Sequence, residues 1–311
     1  MNLLWVFLAG APSLLYAIGN HIDKHLLENH FKMKDGVAAL VIISALVSVV
    51  ALPLTYYMTP GSVLPSQLSH VPILIIMGML YAALLWFYFM ALNEEDTTTI
   101  IIFYSFLPLV GLIASRLFLG EVLLPMQLVA MAVLLAGIIT VSFDRNEQGQ
   151  FRVKYRAAFF MFMASLCWAL GDVLFKSIAL DADVWFTLFW EHLVLFILGL
   201  VLLFFSSGLR GQLAYILREN STKIISINLV NEFLYITANV ISAFPLLMVQ
   251  VAAVHLVQAF QPVWVFVIAL FLMALGVERA KMSRGQILQK TTATAIAVYG
   301  MYLLAIFTPV V

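Results

Sequence analysis

The chain has 311 residues, of which 64% are hydrophobic and only 10% charged, with a mean hydropathy of +1.05; soluble domains carry about 25% charged residues, so a water-soluble globular protein is excluded and lipid is the expected solvent. Lys plus Arg equals Asp plus Glu at 16 each, which leaves no basic surplus for nucleic acid, and none is expected as a partner. The single cysteine, Cys167, provides neither a disulfide framework nor a cysteine-based metal site, and no metal or cofactor is expected.

The first nineteen residues are apolar, with small residues at Ala9, Gly10 and Ala11. They lack the basic n-region of a secretory signal, so this stretch reads as a permanent membrane helix. Apolar runs of about 20 residues cross the hydrocarbon core as helices, because no water is there to satisfy an unpaired backbone. Ten such runs are predicted, at 3–20, 37–58, 71–93, 97–118, 122–143, 155–177, 184–206, 222–247, 251–275 and 285–307. Five precede the polar segment Asp144–Lys154 and five follow it. The predicted fold is therefore an all-α integral membrane protein of two five-helix units, residues 1–145 and 146–311.

A twelve-residue stretch occurs twice, first from Ser13 to Lys24 and again 152 positions later from Ser165 to Lys176. Five of the twelve residues are identical, and Tyr16 is replaced by Trp168 and Asn20 by Asp172. At a spacing of 154, Tyr81 meets Tyr235 and Phe106-Leu107-Pro108 meets Phe260-Gln261-Pro262. Leu119-Gly120-Glu121 is echoed by Leu275-Gly276-Val277-Glu278, and Gln127 and Gly137 correspond to Gln286 and Gly300. An odd number of spans per unit makes the units cross in opposite directions, the inverted-repeat arrangement of many secondary transporters, whose substrate site lies near the midplane between repeats.

With these motifs in this order, the chain resembles the drug/metabolite transporter superfamily, EamA type, over nearly its whole length. The resemblance rests on the Ser-x-x-aromatic-Ala-x-Gly stretch ending in Lys24 and Lys176, on Pro108 and Pro262 followed by Gly-Glu or Gly-x-Glu, and on Gln127 and Gln286 followed by Gly137 and Gly300. Ala130 stands where the family often has Gly, and Val277 is an extra residue before Glu278. The resemblance implies a ten-helix transporter, not an enzyme, with cytoplasmic termini. The charges point the other way. Odd-numbered connections hold thirteen Lys and Arg residues, whereas even-numbered connections and the termini hold only Arg116 and Lys176. The positive-inside rule then places both termini outside the plasma membrane, a bacterial inner membrane being the expected one.

Ionisable side chains within spans cost about 2.5–3.5 kcal/mol on insertion scales and are candidates for function by default. Asp172, Glu191, His192, Glu232 and His255 fall within second-half spans, whereas Asp23, Glu94, Glu95 and Asp96 fall at helix ends. The second repeat is thus expected to line the site. Asn228, Glu232, Tyr235 and Asn239 form one stripe at helical period, with Asn231 beside it; interhelical hydrogen bonding is the alternative use of such a stripe. Glu191, Glu232 and Asp172 are the candidates for proton coupling or cation binding. Tyr16, Tyr81, Trp168, Asn231, Glu232, Tyr235, His255 and Gln258 are the candidates for substrate binding, the rings through stacking or cation–π attraction. His255 has no HxxxH-type partner, so a metal site is not expected there. Pro108 and Pro262 are expected to bend their helices. Glu191 and His192, about 100° apart on a helix, are expected to divide so that only one faces the cavity. Lys24 and Lys176 are expected to be interfacial anchors, and Glu121 and Glu278 to sit near helix N-termini.

The sequence therefore predicts a secondary transporter working by alternating access. It would export a small metabolite or xenobiotic, an amine, amino-acid-like molecule or organic cation, with possible proton coupling, as a monomer or homodimer in the lipid bilayer. The competing reading is a membrane-embedded enzyme acting on a lipid-linked or small substrate. That enzyme would need a metal- or phosphate-binding cluster at a membrane face, which the spacing does not supply.

Overall fold

The computed structural model describes residues 3–29, 36–65, 67–95, 100, 103–142, 155–208, 210–211, 214, 221–274 and 284–309. All regular structure among them is helical. The helices are α1 (Leu4–Asn29), α2 (Gly36–Val47), which continues through a 3-10 turn at Ser48–Ala51 into α3 (Leu52–Met58), α4 (His70–Glu94), α5 (Phe106–Leu119) and α6 (Pro125–Ser142). They are followed by α7 (Tyr155–Asp181), α8 (Val184–Phe205), α9 (Ser221–Met248), α10 (Val251–Gln258), α11 (Gln261–Ala274) and α12 (Arg284–Phe307).

Helix occupies each of the ten predicted segments. Among the described residues seven helical stretches are long and apolar enough to cross a membrane, and α5 and α6 are apolar but shorter. Large apolar side chains such as Phe7, Leu117, Phe159 and Phe233 are exposed on the outside of the bundle, as suits a surface bathed in acyl chains. The polar segment Asp144–Lys154, Asp96, Glu278 and the connection residues Lys32, Lys34, Arg145, Arg152, Arg218, Arg279 and Lys281 lie outside the described residues.

The first helix differs most from expectation. It continues past residue 20 to Asn29, because an apolar-run criterion stops at the first polar residues while the backbone does not. Asn20, Asp23, Leu26 and Leu27 are all buried and lie three or four residues apart, so one face of the added turns points inward. Asp23, expected at a helix end, is a helical residue of the interior.

Local chemistry sets several ends. Asp183 caps α8, its Oδ1 accepting from the Trp185 and Phe186 amides at 2.7 and 3.3 Å. Gly120 ends α5 in the left-handed region at φ +67°, where glycine carries no Cβ penalty, and this turn sends Glu121 back toward the bundle. A proline lacks an N–H and its ring clashes with the carbonyl four residues earlier. Turns at Tyr104–Ser105 and at Ala259–Phe260 precede Pro108 and Pro262 accordingly. Pro262 and Pro108 thus fall in the first turns of α11 and α5 rather than at a bend inside a continuous helix.

α6 packs along α12, α4 along α7, and α1 along α9, while α5 meets α10 and α2 meets α8. The α6–α12 contact is reciprocal. A Cβ on Gly137 would lie 2.5 Å from the Ala297 amide nitrogen, and one on Gly300 would lie 2.5 Å from that of Leu134. Backbone touches backbone at both places, as small residues permit in membranes. Gly171 of the repeated stretch has nothing within 4 Å. Gly137→Ala and Gly300→Ala are therefore expected to lower the thermal unfolding temperature in detergent, each by an overpacking cost of about 1–3 kcal/mol, whereas Gly171→Ala leaves it unchanged or slightly higher. Equal effects at all three positions would contradict this packing.

Candidate functional site: a central acidic cavity

A cavity of about 70 Å³ lies among α1, α2, α4, α7, α8 and α9. One water needs ~10–15 Å³ on this measure, so the space admits a group of several heavy atoms. Its walls include four carboxylates, Asp23, Asp172, Glu191 and Glu232, and a histidine, His192. No lysine or arginine lines it among the described residues. Aromatic rings make up much of the rest. Tyr16 meets Trp168 edge-on at 5.4 Å and Tyr235 at 5.7 Å, and Tyr104 meets Trp168 edge-on at 6.0 Å.

Each carboxylate is held by neutral donors or by a histidine. Asp23 is 1% exposed; its Oδ1 accepts from Asn231 Nδ2 at 2.6 Å, and its Oδ2 accepts from the Tyr235 hydroxyl at 2.7 Å and the Tyr88 hydroxyl at 3.1 Å. Both hydroxyls also lie 2.9–3.0 Å from Asn20 Oδ1, so each phenol proton chooses between two acceptors. Asn20 Nδ2 donates to Gln261 Oε1 at 3.1 Å, which ties α1, α4, α9 and α11 into one polar network. Glu191 Oε1 accepts from Asn239 Nδ2 at 2.6 Å. Glu232 Oε1 accepts from the Ser44 hydroxyl. Asp172 Oδ2 is 2.7 Å from His255 Nε2, and the His255 ring fills the space where any side chain at Gly111 would begin.

Several sequence expectations are corrected here. The site is not lined by the second repeat alone: Asp23, Ser44, Ser48, Tyr81, Tyr88 and Tyr104 come from the first half. Both Glu191 and His192 line the cavity rather than one of them, since a cavity between several helices accepts residues over more than 100° of one helix face. Of the predicted substrate residues, Tyr16, Tyr81, Trp168, Glu232 and Tyr235 line the cavity, and Asn231 reaches it through Asp23. His255 stands behind Asp172 and is fully buried. Gln258 ends α10 away from the cavity, its amide buried without a hydrogen-bond partner among the described residues. Asn228 of the stripe likewise lies outside the lining, whereas Glu232, Tyr235 and Asn239 belong to it. The sequence reading missed Asp23 because the first span was cut short. Its position three residues after Asn20 and seven after Tyr16, on one helical face, was the available signal.

Lys176 is no interfacial anchor. It is 9% exposed, and its Nζ donates to Glu121 Oε1 and to the Val249 carbonyl, both at 2.7 Å. Glu121 Oε2 accepts from the Val251 amide at 2.8 Å, so this acid does serve a helix N-terminus, that of α10. Lys24 donates to the Leu92 and Glu95 carbonyls at 3.0 and 2.9 Å. Burial explains the partners of Lys176, since an ammonium drawn inside an apolar bundle must find oxygen partners there; Lys24 is half-buried and also pairs with Glu28 at 3.4 Å.

Helices long and apolar enough to cross a membrane, with large apolar side chains on their outer faces among the described residues, define an integral membrane protein. Residues 3–143 match the EamA-like transporter family, which belongs to the drug/metabolite transporter superfamily. Its members are small-molecule transporters rather than enzymes. No curated protein matches the sequence. A solved structure titled "Crystal structure of protein" is similar over 96% of this chain and 94% of that one, with a TM-score of 0.64 and 17% identity; at that identity the likeness concerns the fold alone.

The network around Asp23 can be tested directly. Tyr235→Phe and Tyr88→Phe each remove one donor and are expected to cost about 0.5–1.5 kcal/mol of stability. Together with Asp23→Asn either should be non-additive, because the partners share one carboxylate. Strict additivity in thermal unfolding would mean that the phenols do not hold Asp23.

Proposed function

We propose that the protein is a secondary transporter that exports a small metabolite or xenobiotic carrying a positive group, an amine, amino-acid-like molecule or organic cation, by alternating access. The observation that carries this reading is the cavity wall, in which four carboxylates face one space with no lysine or arginine beside them among the described residues. Such a wall favours a cation or a proton over an anion. The rings of Tyr16, Trp168, Tyr104 and Tyr235 supply faces and edges suited to a cationic or flat solute.

The helix pairing supports two inverted five-helix repeats. α4 with α7 becomes α9 with α1 when the halves are exchanged, α5 with α7 becomes α10 and α11 with α1, and the α6–α12 and α5–α10 pairs map onto themselves. An exchange relation of this kind accompanies alternating access in many transporters built from repeats. Among the described residues Glu191 and Glu232 each have a single neutral side-chain donor, which leaves acceptor capacity for a substrate cation or proton. They are the proposed coupling residues, with Asp172 beside them and Tyr81, Tyr235 and Trp168 contacting substrate. On the Lys/Arg bias both termini face outward from the plasma membrane.

The test is a thermal-shift screen of the purified protein against amino acids, amines, nucleosides and dyes, followed by transport in proteoliposomes. Glu191→Gln and Glu232→Gln are expected to abolish the shift given by cationic ligands, and wild-type uptake is expected to respond to an imposed pH gradient that the double variant ignores. Cationic shifts that survive both substitutions would remove the site assignment. Transport indifferent to the gradient would remove proton coupling while leaving transport itself.

A further inference from the structure

The two lysines that close the repeated twelve-residue stretch make the same kind of contact at different places. α1 brings Lys24 Nζ to 2.9 Å from the Glu95 carbonyl and 3.0 Å from that of Leu92, at the end of α4. α7 brings Lys176 Nζ to 2.7 Å from the Val249 carbonyl, at the end of α9. The last carbonyls of a helix lack intrahelical partners and carry the negative end of its dipole, so an ammonium placed there fastens one helix end to another. Lys24 and Lys176 are 152 positions apart and Glu95 and Val249 are 154 apart, the two spacings that relate the halves of the sequence.

The contacts stand at opposite ends of the bundle. Arg156, at the start of α7, pairs with Glu94 at the end of α4 at 3.2 Å, which sets the start of α7 beside Lys24's partners. Lys176 lies twenty residues farther along α7, roughly 30 Å at 1.5 Å per residue, about the thickness of the hydrocarbon core. The cavity lies between them, and neither lysine lines it. At the Lys176 end, Glu121 adds a second tie, since its two oxygens take the ammonium and the first amide of α10.

We propose that Lys24 and Lys176 are paired positioning residues of the transport cycle. Each fastens the cavity-lining helix of its own half, α4 or α9, at one mouth of the cavity and releases it when that mouth opens. The proposal rests on the transporter reading above. A lysine suits the task because its compact ammonium offers three rotatable donors on a flexible stem, so it can exchange carbonyls for water or headgroup oxygens without keeping a fixed planar geometry. Both contacts are formed in this structure, and the thiol that faces the cavity between them, Cys167, is 6% exposed.

Cys167 is the only cysteine in the chain and a wall residue of the cavity, so it serves as a native reporter. The full chain is reconstituted in proteoliposomes and labelled with a membrane-impermeant maleimide from one face at a time. Lys24→Met is expected to speed labelling about tenfold from one face only, and Lys176→Met and Glu121→Gln by a similar factor from the opposite face only. Lys24→Arg and Lys176→Arg, which keep a cation, are expected to remain closer to the wild-type rate. Acceleration from both faces equally, from the same face by both lysine variants, or in neither variant overturns the proposal; general loosening of the fold would produce the first of these. If Lys176→Met does not fold, Glu121→Gln reads that mouth, and Lys24→Gln reads the other. Solute binding and transport by the wild type in the same vesicles separate the two readings. A solute carried without any sided labelling effect defeats the lysines' role alone. Sided labelling in a protein that neither binds nor carries a solute defeats the transporter reading and leaves the two lysines as fasteners of the helix ends.

Discussion

Inside a bilayer no water stands ready to solvate a charge, so every carboxylate in the bundle must be met by donors from a neighbouring helix. The rest of the architecture follows from how that demand is answered. Asp23 draws hydroxyls from α4 and α9 and an amide from α9, Glu191 draws an amide from α9, and Glu232 draws a hydroxyl from α2. Each bond crosses between helices, so the polar groups that make the cavity chemically useful also hold its walls in register. Two acids are answered differently, Glu121 just after α5 by a lysine and Asp172 within α7 by a histidine. Three of the four cavity carboxylates are thus met by neutral donors and the fourth, Asp172, by a histidine.

Residues at matching spacings in the two halves of the sequence share some contacts and not others. Gly137 and Gly300 perform one task from both sides of one contact, and Lys24 and Lys176 fasten equivalent helix ends. Gly19 and Gly171, by contrast, have parted: the first lies against the Tyr235 ring, and the second faces open space in the cavity. Asn20 amid its hydrogen bonds and Asp172 beside His255 have parted as well. At Gly137 and Gly300 close packing leaves no room for a side chain on either side of the contact.

Membrane residence and the helical segments were legible in the order of residues, because lipid imposes a length and a hydrophobicity on any span. The paired prolines, the Gly-Glu turn and the acids of the eighth and ninth helices were legible for similarly local reasons. Asp23 was hidden by the rule that revealed the rest: a hydropathy boundary ends where polar residues begin, whereas a helix continues for as long as its inward face finds partners. The burial of Lys176, the inward direction of both Glu191 and His192, and the retreat of His255 and Gln258 from the cavity depend on contacts between residues far apart in the chain. Helical period gives a side chain's direction relative to its own axis. Only the packing of the helices decides what stands there to meet it.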